Sequence, residues 1–435
     1  MTLAAPEPGT DAPSPREMLL LAVPSIVLGA FAAGMLWALE ALADLLQEVL
    51  WDDVPGALGV NPDGWWIVLV LTVIGLAVGL CLRFLPGHGG PDSATTELIE
   101  SPLALSALPA LAVVTVLSLA GGVSLGPENP IIAINVGLIA YFFARVLPKV
   151  PGDVAVLIAG AATTGALFGT PVAAALIFTE ILAAVQGRGS LWDKLFLPLV
   201  AAGSGAITMR LIGGQHFGFK LPPYGDPVAI DVLTGVAVAC GAVVCGLVAL
   251  WLFPHAWRGL HALRTPVLIP VVGGFLLGIL GLIGGPITMF KGLHEMGELL
   301  ADPGAYDAGD LAVIAAVKTL ALVIAASALF RGGRVFPATF IGVALGMLGH
   351  VLIPSLPLGL AVACGVLGIL LVVTRDGWLS LFLAVAIPGD ITLLPILCVI
   401  VLPAWLMVSR MPEFRIVPPA TAAGPTADPS PTRGV

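Results

Sequence analysis

Between Met18 and Val408 the chain is a succession of apolar segments, repeatedly broken by glycine and proline. They fall at Met18–Leu50, Trp65–Leu85, Leu103–Leu119, Pro130–Leu147, Val154–Phe168, Pro171–Val185 and Leu195–Leu211. They resume at Ile230–Phe253, Pro266–Ile283, Leu311–Phe330, Pro337–Ile353, Leu358–Val373, Gly377–Ile387 and Ile391–Val408. A helix needs about 20 apolar residues to cross a bilayer, so several of these segments cannot cross alone. Backbone left unpaired at membrane depth must be buried in protein or line a cavity. The pattern therefore predicts discontinuous helices gathered around a site near the membrane midplane. With 58% hydrophobic and only 10% charged residues, the expected class is an all-α integral membrane protein, multi-pass and set in the cell (inner) membrane.

A polar interruption at Gly213–Asp226 divides the chain. The expected organisation is an N-terminal tail (1–16), a first membrane half (17–212), a linker (213–228), a second membrane half (229–410) and a proline-rich, disordered tail (411–435). The first residues lack the basic region of a cleaved signal peptide. A net charge of −9 argues against nucleic acid as a partner. Cys81, Cys240, Cys245, Cys364 and Cys398 stand singly in apolar runs, which supports neither a metal site nor a disulfide framework. No phosphate-binding loop of Walker spacing occurs, so ATP-driven transport is not expected, and no cofactor is required.

The chemistry concentrates in Leu119–Gly137, LAGGVSLGPENPIIAINVG. Gly126, Pro127 and Pro130 break any continuing helix, and a new one is expected to open near Pro130. A helix start presents unpaired N–H groups and partial positive charge, which together bind anions. Glu128 lies at that start, and an ionisable group at membrane depth is costly enough to imply function. It reads as a built-in competitor for a transported anion, leaving the site when protonated. The second half repeats the pattern: Gly333 and Pro337 share the spacing of Gly126 and Pro130, and another apolar helix follows.

Other polar residues carry weaker signals. Glu180 closes an apolar helix and could relay protons, or pair with Arg188 or Lys194. Arg331 and Arg334 bracket a Gly-Gly pair at a loop end; Arg375-Asp376 reads as a local ion pair and Lys318 as a snorkelling or paired lysine. His88 sits among glycines and His294 in a polar connection. Hydrolytic alternatives are poor. Asp307 and Asp310 share one loop, and Gly203-Ser204-Gly205 reads as a close-packing helix face rather than a Ser204–His350 dyad.

In the order and spacing of its motifs the chain resembles the CLC family of chloride channels and proton-coupled anion exchangers, and within it a divergent bacterial branch of ion-transport proteins. Gly126-Pro127-Glu128-Asn129-Pro130 stands where the family has G-[KR]-E-G-P, Gly333-Arg334-Val335-Phe336-Pro337 where it has G-x-F-x-P, and Gly87-His88-Gly89-Gly90-Pro91 where it has G-S-G-I-P. The resemblance implies a CLC-like inverted repeat of tilted and broken transmembrane helices. It further implies a homodimer with one path per subunit, and helix N-termini converging on a dehydrated small inorganic anion. Glu128 would be the gate, and the anion would be bound by His88, Gly126, Asn129, Pro130, Arg334, Val335 and Phe414. Here His88 replaces the family's coordinating serine and Phe414 its tyrosine. The exchangers' inner proton glutamate falls at Ile181, with Glu180 one residue earlier. That step turns a side chain by about 100°, so Glu180 should face elsewhere. The expected function is therefore transport of small inorganic anions, chloride by default, as channel or exchanger, with protons as a possible second ion. The alternatives are a secondary transporter of another ion or solute and, least favoured, a membrane-embedded hydrolase.

Overall fold

The computed structural model describes residues 15–96, 101–148, 150–184, 190–214, 218–219 and 221–416, without the side chains of 15–18, 181, 183 and 184. Most of the tail at 1–16, Arg188, the side chain of Ile181 and residues 417–435 thus lie outside the described residues.

The first half comprises α1 (Pro15–Glu48), α2 (Val54–Leu58), α3 (Trp65–Phe84), α4 (Leu108–Ala120), α5 (Glu128–Val146), α6 (Gly152–Phe168), α7 (Pro171–Ala184) and α8 (Leu191–Leu211). The second comprises α9 (Ala229–His261), α10 (Leu268–Gly284), α11 (Leu293–Ala301), α12 (Ala308–Ser327), α13 (Val335–Leu352), α14 (Leu358–Thr374), α15 (Gly377–Ala386) and α16 (Leu394–Val408). Among the described residues, 8 helices are long and apolar enough to cross a membrane; α4, α6, α7, α10, α14 and α15 are apolar but shorter.

The packing repeats between the halves. α1 lies on α6 and α8 as α9 lies on α14 and α16. α5 lies on α6 as α13 lies on α14, and α6 on α7 as α14 on α15. α3 meets α10, and α7 meets α15, across the boundary. These are the contacts of an internal repeat. Glycine makes the closest of them possible: a Cβ at Gly365 would lie 2.1 Å from the Gly342 carbonyl oxygen between α14 and α13, and one at Gly75 2.1 Å from that of Pro270 between α3 and α10.

Several expectations are corrected. α5 opens at Glu128 and α13 at Val335, two residues before the prolines that were expected to open them. Pro130 and Pro337 therefore occupy the third helical position, where no partner is required of the missing N–H. The helix α11 was not foreseen, because Leu293–Ala301 is short and carries His294, Glu295 and Glu298. Lys318 does not snorkel. It is fully buried, donating from Nζ to the carbonyls of Met289 (2.6 Å) and Phe290 (2.8 Å), with Nζ 4.9 Å from the Phe340 ring centroid. Arg375 binds the carbonyls of Val408 and Ser409, while Asp376 caps α15 by accepting from Leu379 N–H. Residues 411–416 belong to the packed structure: Phe414 is buried and stacks on Phe253 at 4.6 Å, and Ile416 N–H donates to Ala94.

The linker is tied to the second half. Phe219 N–H donates to Ile387, and Tyr224 N–H donates to Asp390. Hydrogen bonds from the Thr392 hydroxyl, and from the N–H groups of Tyr224 and Thr392, hold the Asp390 carboxyl below the usual carboxylate range.

Candidate functional site

The two broken segments meet in the middle of the fold. Gly126 and Gly333 form an antiparallel bridge, each N–H donating to the other's carbonyl at 2.9 and 2.7 Å. Two residues beyond each glycine a helix begins, α5 at Glu128 and α13 at Val335. The bridge thus sets two helix N-termini against one point, and the positive ends of both helices converge there. Gly126 spends its N–H on this bridge, so its part in the site is to shape it.

Glu128 fills that point. Its side chain is fully buried, and Oε1 accepts from Phe336 N–H in the first turn of α13 at 2.9 Å. The N–H groups of Val335 and of Glu128 itself also act on the carboxyl. Oε2 is buried without a hydrogen-bond partner. Space around it is minimal, since a Cβ added at either Gly126 or Gly333 would fall 2.1 Å from Oε2. Only glycine at both positions leaves room for the carboxylate. Gly333→Ala should therefore displace Glu128, so that anion flux loses at least half of its acid activation; full activation in a folded variant would contradict this seating of the gate.

Beside this seat lies a cavity of about 430 Å³, walled in part by Thr96, Asn129, Glu180, Arg334, Val335 and Phe414. Four residues expected at the anion site, Asn129, Arg334, Val335 and Phe414, are thus brought to one cavity, although they come from α5, the start of α13 and the C-terminal segment. Asn129 donates to the Thr96 hydroxyl at 3.3 Å. Arg334, half-buried, donates to the carbonyls of Phe414 and Thr96 and lies 5.7 Å from the Phe414 ring centroid. It stands at the N-terminal cap of α13.

Glu180 also faces the cavity, contrary to the expectation that it points elsewhere. Asp376 shares the same wall. Asp376 went unrecognised in the sequence, where it reads as the partner of Arg375.

His88 is not part of this wall. Its ring Nδ1 is paired with the Leu82 carbonyl, its backbone is left-handed (φ 50°), and its side chain is exposed. Thr96 lines the cavity where His88 was expected. Pro130 is buried in the first turn of α5, and Arg331 is spent on the carbonyls of Gly89 and Leu329, 3.7 Å from Asp92. The hydrolytic candidates are structural. Ser204 donates to the Ile26 carbonyl, His350 pairs with the Leu356 carbonyl, and Asp307 and Asp310 cap α12 reciprocally.

The chain as a whole is similar to known proteins. The family described as voltage gated chloride channel matches residues 73–409. Among curated relatives, "Putative ion-transport protein YfeO" of Escherichia coli O9:H4 (strain HS) is 48% identical over 405 residues, covering 93% of this chain and 96% of its own length. The protein of the same name in Escherichia fergusonii is 47% identical over the same length. Among solved structures, a CLC-type fluoride/proton antiporter aligns with a TM-score of 0.73 at 20% identity, over 91% of this chain and 97% of its own. A slow cyanobacterial Cl−/H+ antiporter aligns with a TM-score of 0.73 at 20% identity, over 91% and 95%.

Proposed function

This chain belongs to the voltage-gated chloride channel family, and from that premise we propose that it moves small inorganic anions, chloride by default, across the cell (inner) membrane under the control of Glu128. The observation that carries the reading is the seat of Glu128: a carboxylate already occupies the two helix N-termini as an anion would. While it is ionised it fills the site. On protonation it loses the charge that holds it there, and an anion arriving from the cavity takes its place. Asn129 and Arg334 line the approach, Val335 and Phe414 shape it, and Arg334 supplies a positive field. Two copies associate in this reading, each with its own path.

The carboxyls of Glu180 and Asp376 favour an exchanger over a channel, because both stand on the wall of the anion cavity, where a carboxyl can take up a proton. Glu180→Gln and Asp376→Asn should each cut anion-driven proton movement by about tenfold while leaving passive anion flux within a factor of about three. Chloride efflux from proteoliposomes, recorded together with internal pH, tests both levels. Chloride flux with uphill proton movement supports exchange, and chloride flux without it leaves a gated channel. Cation flux with no anion flux, in folded protein, would remove the anion reading and favour a carrier of another solute on the same scaffold.

A further inference from the structure

A second cavity, of about 260 Å³, opens beside the C-terminal part of α1 and shares no wall residue with the first. Glu40 and Asp44 line it from one face of α1, four residues apart. Glu295 lines it from α11, so three carboxyl groups border a single space. The same wall carries apolar surface, Leu119 from the end of α4 and Phe290 from the loop before α11. None of these residues is used by the anion site as described.

Two observations bear on what such a wall holds. First, one alkylammonium already sits in it: Lys291 lines the cavity and donates from Nζ to Glu40 Oε1 at 2.7 Å. Second, that lysine does not satisfy the wall. Glu295 is only 7% exposed, and its Oε2 is buried without a hydrogen-bond partner. A carboxyl oxygen withdrawn from water and left without a donor is costly, so this one calls for a donor that the chain does not supply. The other basic groups of the region are spent elsewhere. Lys318 donates to the carbonyls of Met289 and Phe290, and the exposed His294 ring lies 3.2 Å from Glu298. Among the described residues, no group of three or more histidine, cysteine or acidic side chains is placed to hold a metal ion. The wall therefore fits a ligand whose N–H donors are spread along an apolar stem.

We propose that this cavity is a binding site for a short organic diamine or polyamine, anchored by Glu295 and Asp44. An ammonium group offers three N–H donors and needs no convergent shell of ligands, so it can answer Glu295 Oε2 where a metal ion cannot be enclosed. A second ammonium meets the exposed Asp44, as Lys291 meets Glu40. The methylene stem lies along Leu119 and Phe290, and an aromatic ring beside a cation adds attraction. Phe290 is held for this by Trp51, whose ring packs edge-on against it at 5.6 Å. The volume suits a chain of a few heavy atoms rather than a drug-sized ligand. Such a site stands whether or not Glu128 is the gate.

Isothermal titration calorimetry on the purified full-length protein tests this, with 1,4-diaminobutane and spermidine as probes and calcium and magnesium as controls. Saturable binding of at least one amine is expected, with a Kd below about 1 mM. Glu295→Gln should weaken it by about tenfold or more, and Asp44→Asn by about threefold or more, because each replaces a charge-assisted bond by a neutral one. Lys291→Met should instead tighten binding, since it frees Glu40 for the ligand; a merely structural role for these residues predicts no such opposite sign. Should Glu295→Gln not fold, the exposed Asp44→Asn and Lys291→Met still decide. The proposal is overturned if wild-type protein binds neither amine saturably, if binding is the same in wild type and in the folded carboxyl variants, or if calcium or magnesium binds and the amines do not.

Discussion

Glu128→Gln abolishes the acid activation of anion flux and reduces coupled proton movement to below about a tenth of wild type. The magnitude follows from the seat of the carboxylate. Its bond to Phe336 N–H is charge-assisted, and such bonds contribute about 1.5–3 kcal/mol. At 1.4 kcal/mol per factor of ten, a neutral amide holds the same seat roughly ten to a hundred times less tightly. The seat then stands open at every pH, and nothing in it titrates. Flux should rise at neutral and alkaline pH and stay level across the acid range, as measured by ion-selective electrode on proteoliposomes. A Glu128→Gln protein that keeps the wild-type pH profile would mean that the titrating group lies elsewhere.

Arg334→Leu produces the second large effect, a fall in chloride flux of at least tenfold together with a loss of stability. At an effective dielectric constant of about 20, a unit charge a few ångströms from an anion contributes roughly 2–4 kcal/mol, or at least about thirtyfold in occupancy. The same substitution strips the carbonyls of Phe414 and Thr96 of their donors, costing about 1–3 kcal/mol for each left buried and unpaired. Arg334→Lys separates the two contributions. It keeps the charge but cannot reproduce the planar fork, so flux should recover further than thermal stability does. Equal loss of flux in the Leu and Lys variants would point to packing rather than to field.

Much of this architecture is legible in the sequence because membrane helices announce themselves by unbroken apolar length. The expected segment Trp65–Leu85 is observed as Trp65–Phe84, and Leu358–Val373 as Leu358–Thr374. Where the signal is local chemistry, the reading also survives: the shared spacing of Gly126/Pro130 and Gly333/Pro337 becomes the bridge that joins the two helix starts. What fails is whatever depends on contacts between distant segments. His88 matches a motif in spacing, yet Leu82 claims its ring and Thr96 takes the place at the cavity. Asp376 reads as the partner of its neighbour Arg375, because nothing local shows that it shares a cavity wall with Glu180. α11 is too polar to resemble a membrane segment, and Lys318 looks misplaced until the carbonyls it holds are seen. The Lys291–Glu40 pair spans most of the chain and carries no motif at all.

The central claim is that Glu128 and the transported anion compete for one site. Chloride binding to purified wild-type protein and to Glu128→Ala, measured by isothermal titration calorimetry at a pH where carboxylates are ionised, tests it most directly. The account predicts that emptying the seat tightens chloride binding by about tenfold or more, as expected when a charge-assisted bond of about 1.5–3 kcal/mol no longer has to be displaced. Equal or weaker binding by a folded Glu128→Ala protein would contradict it.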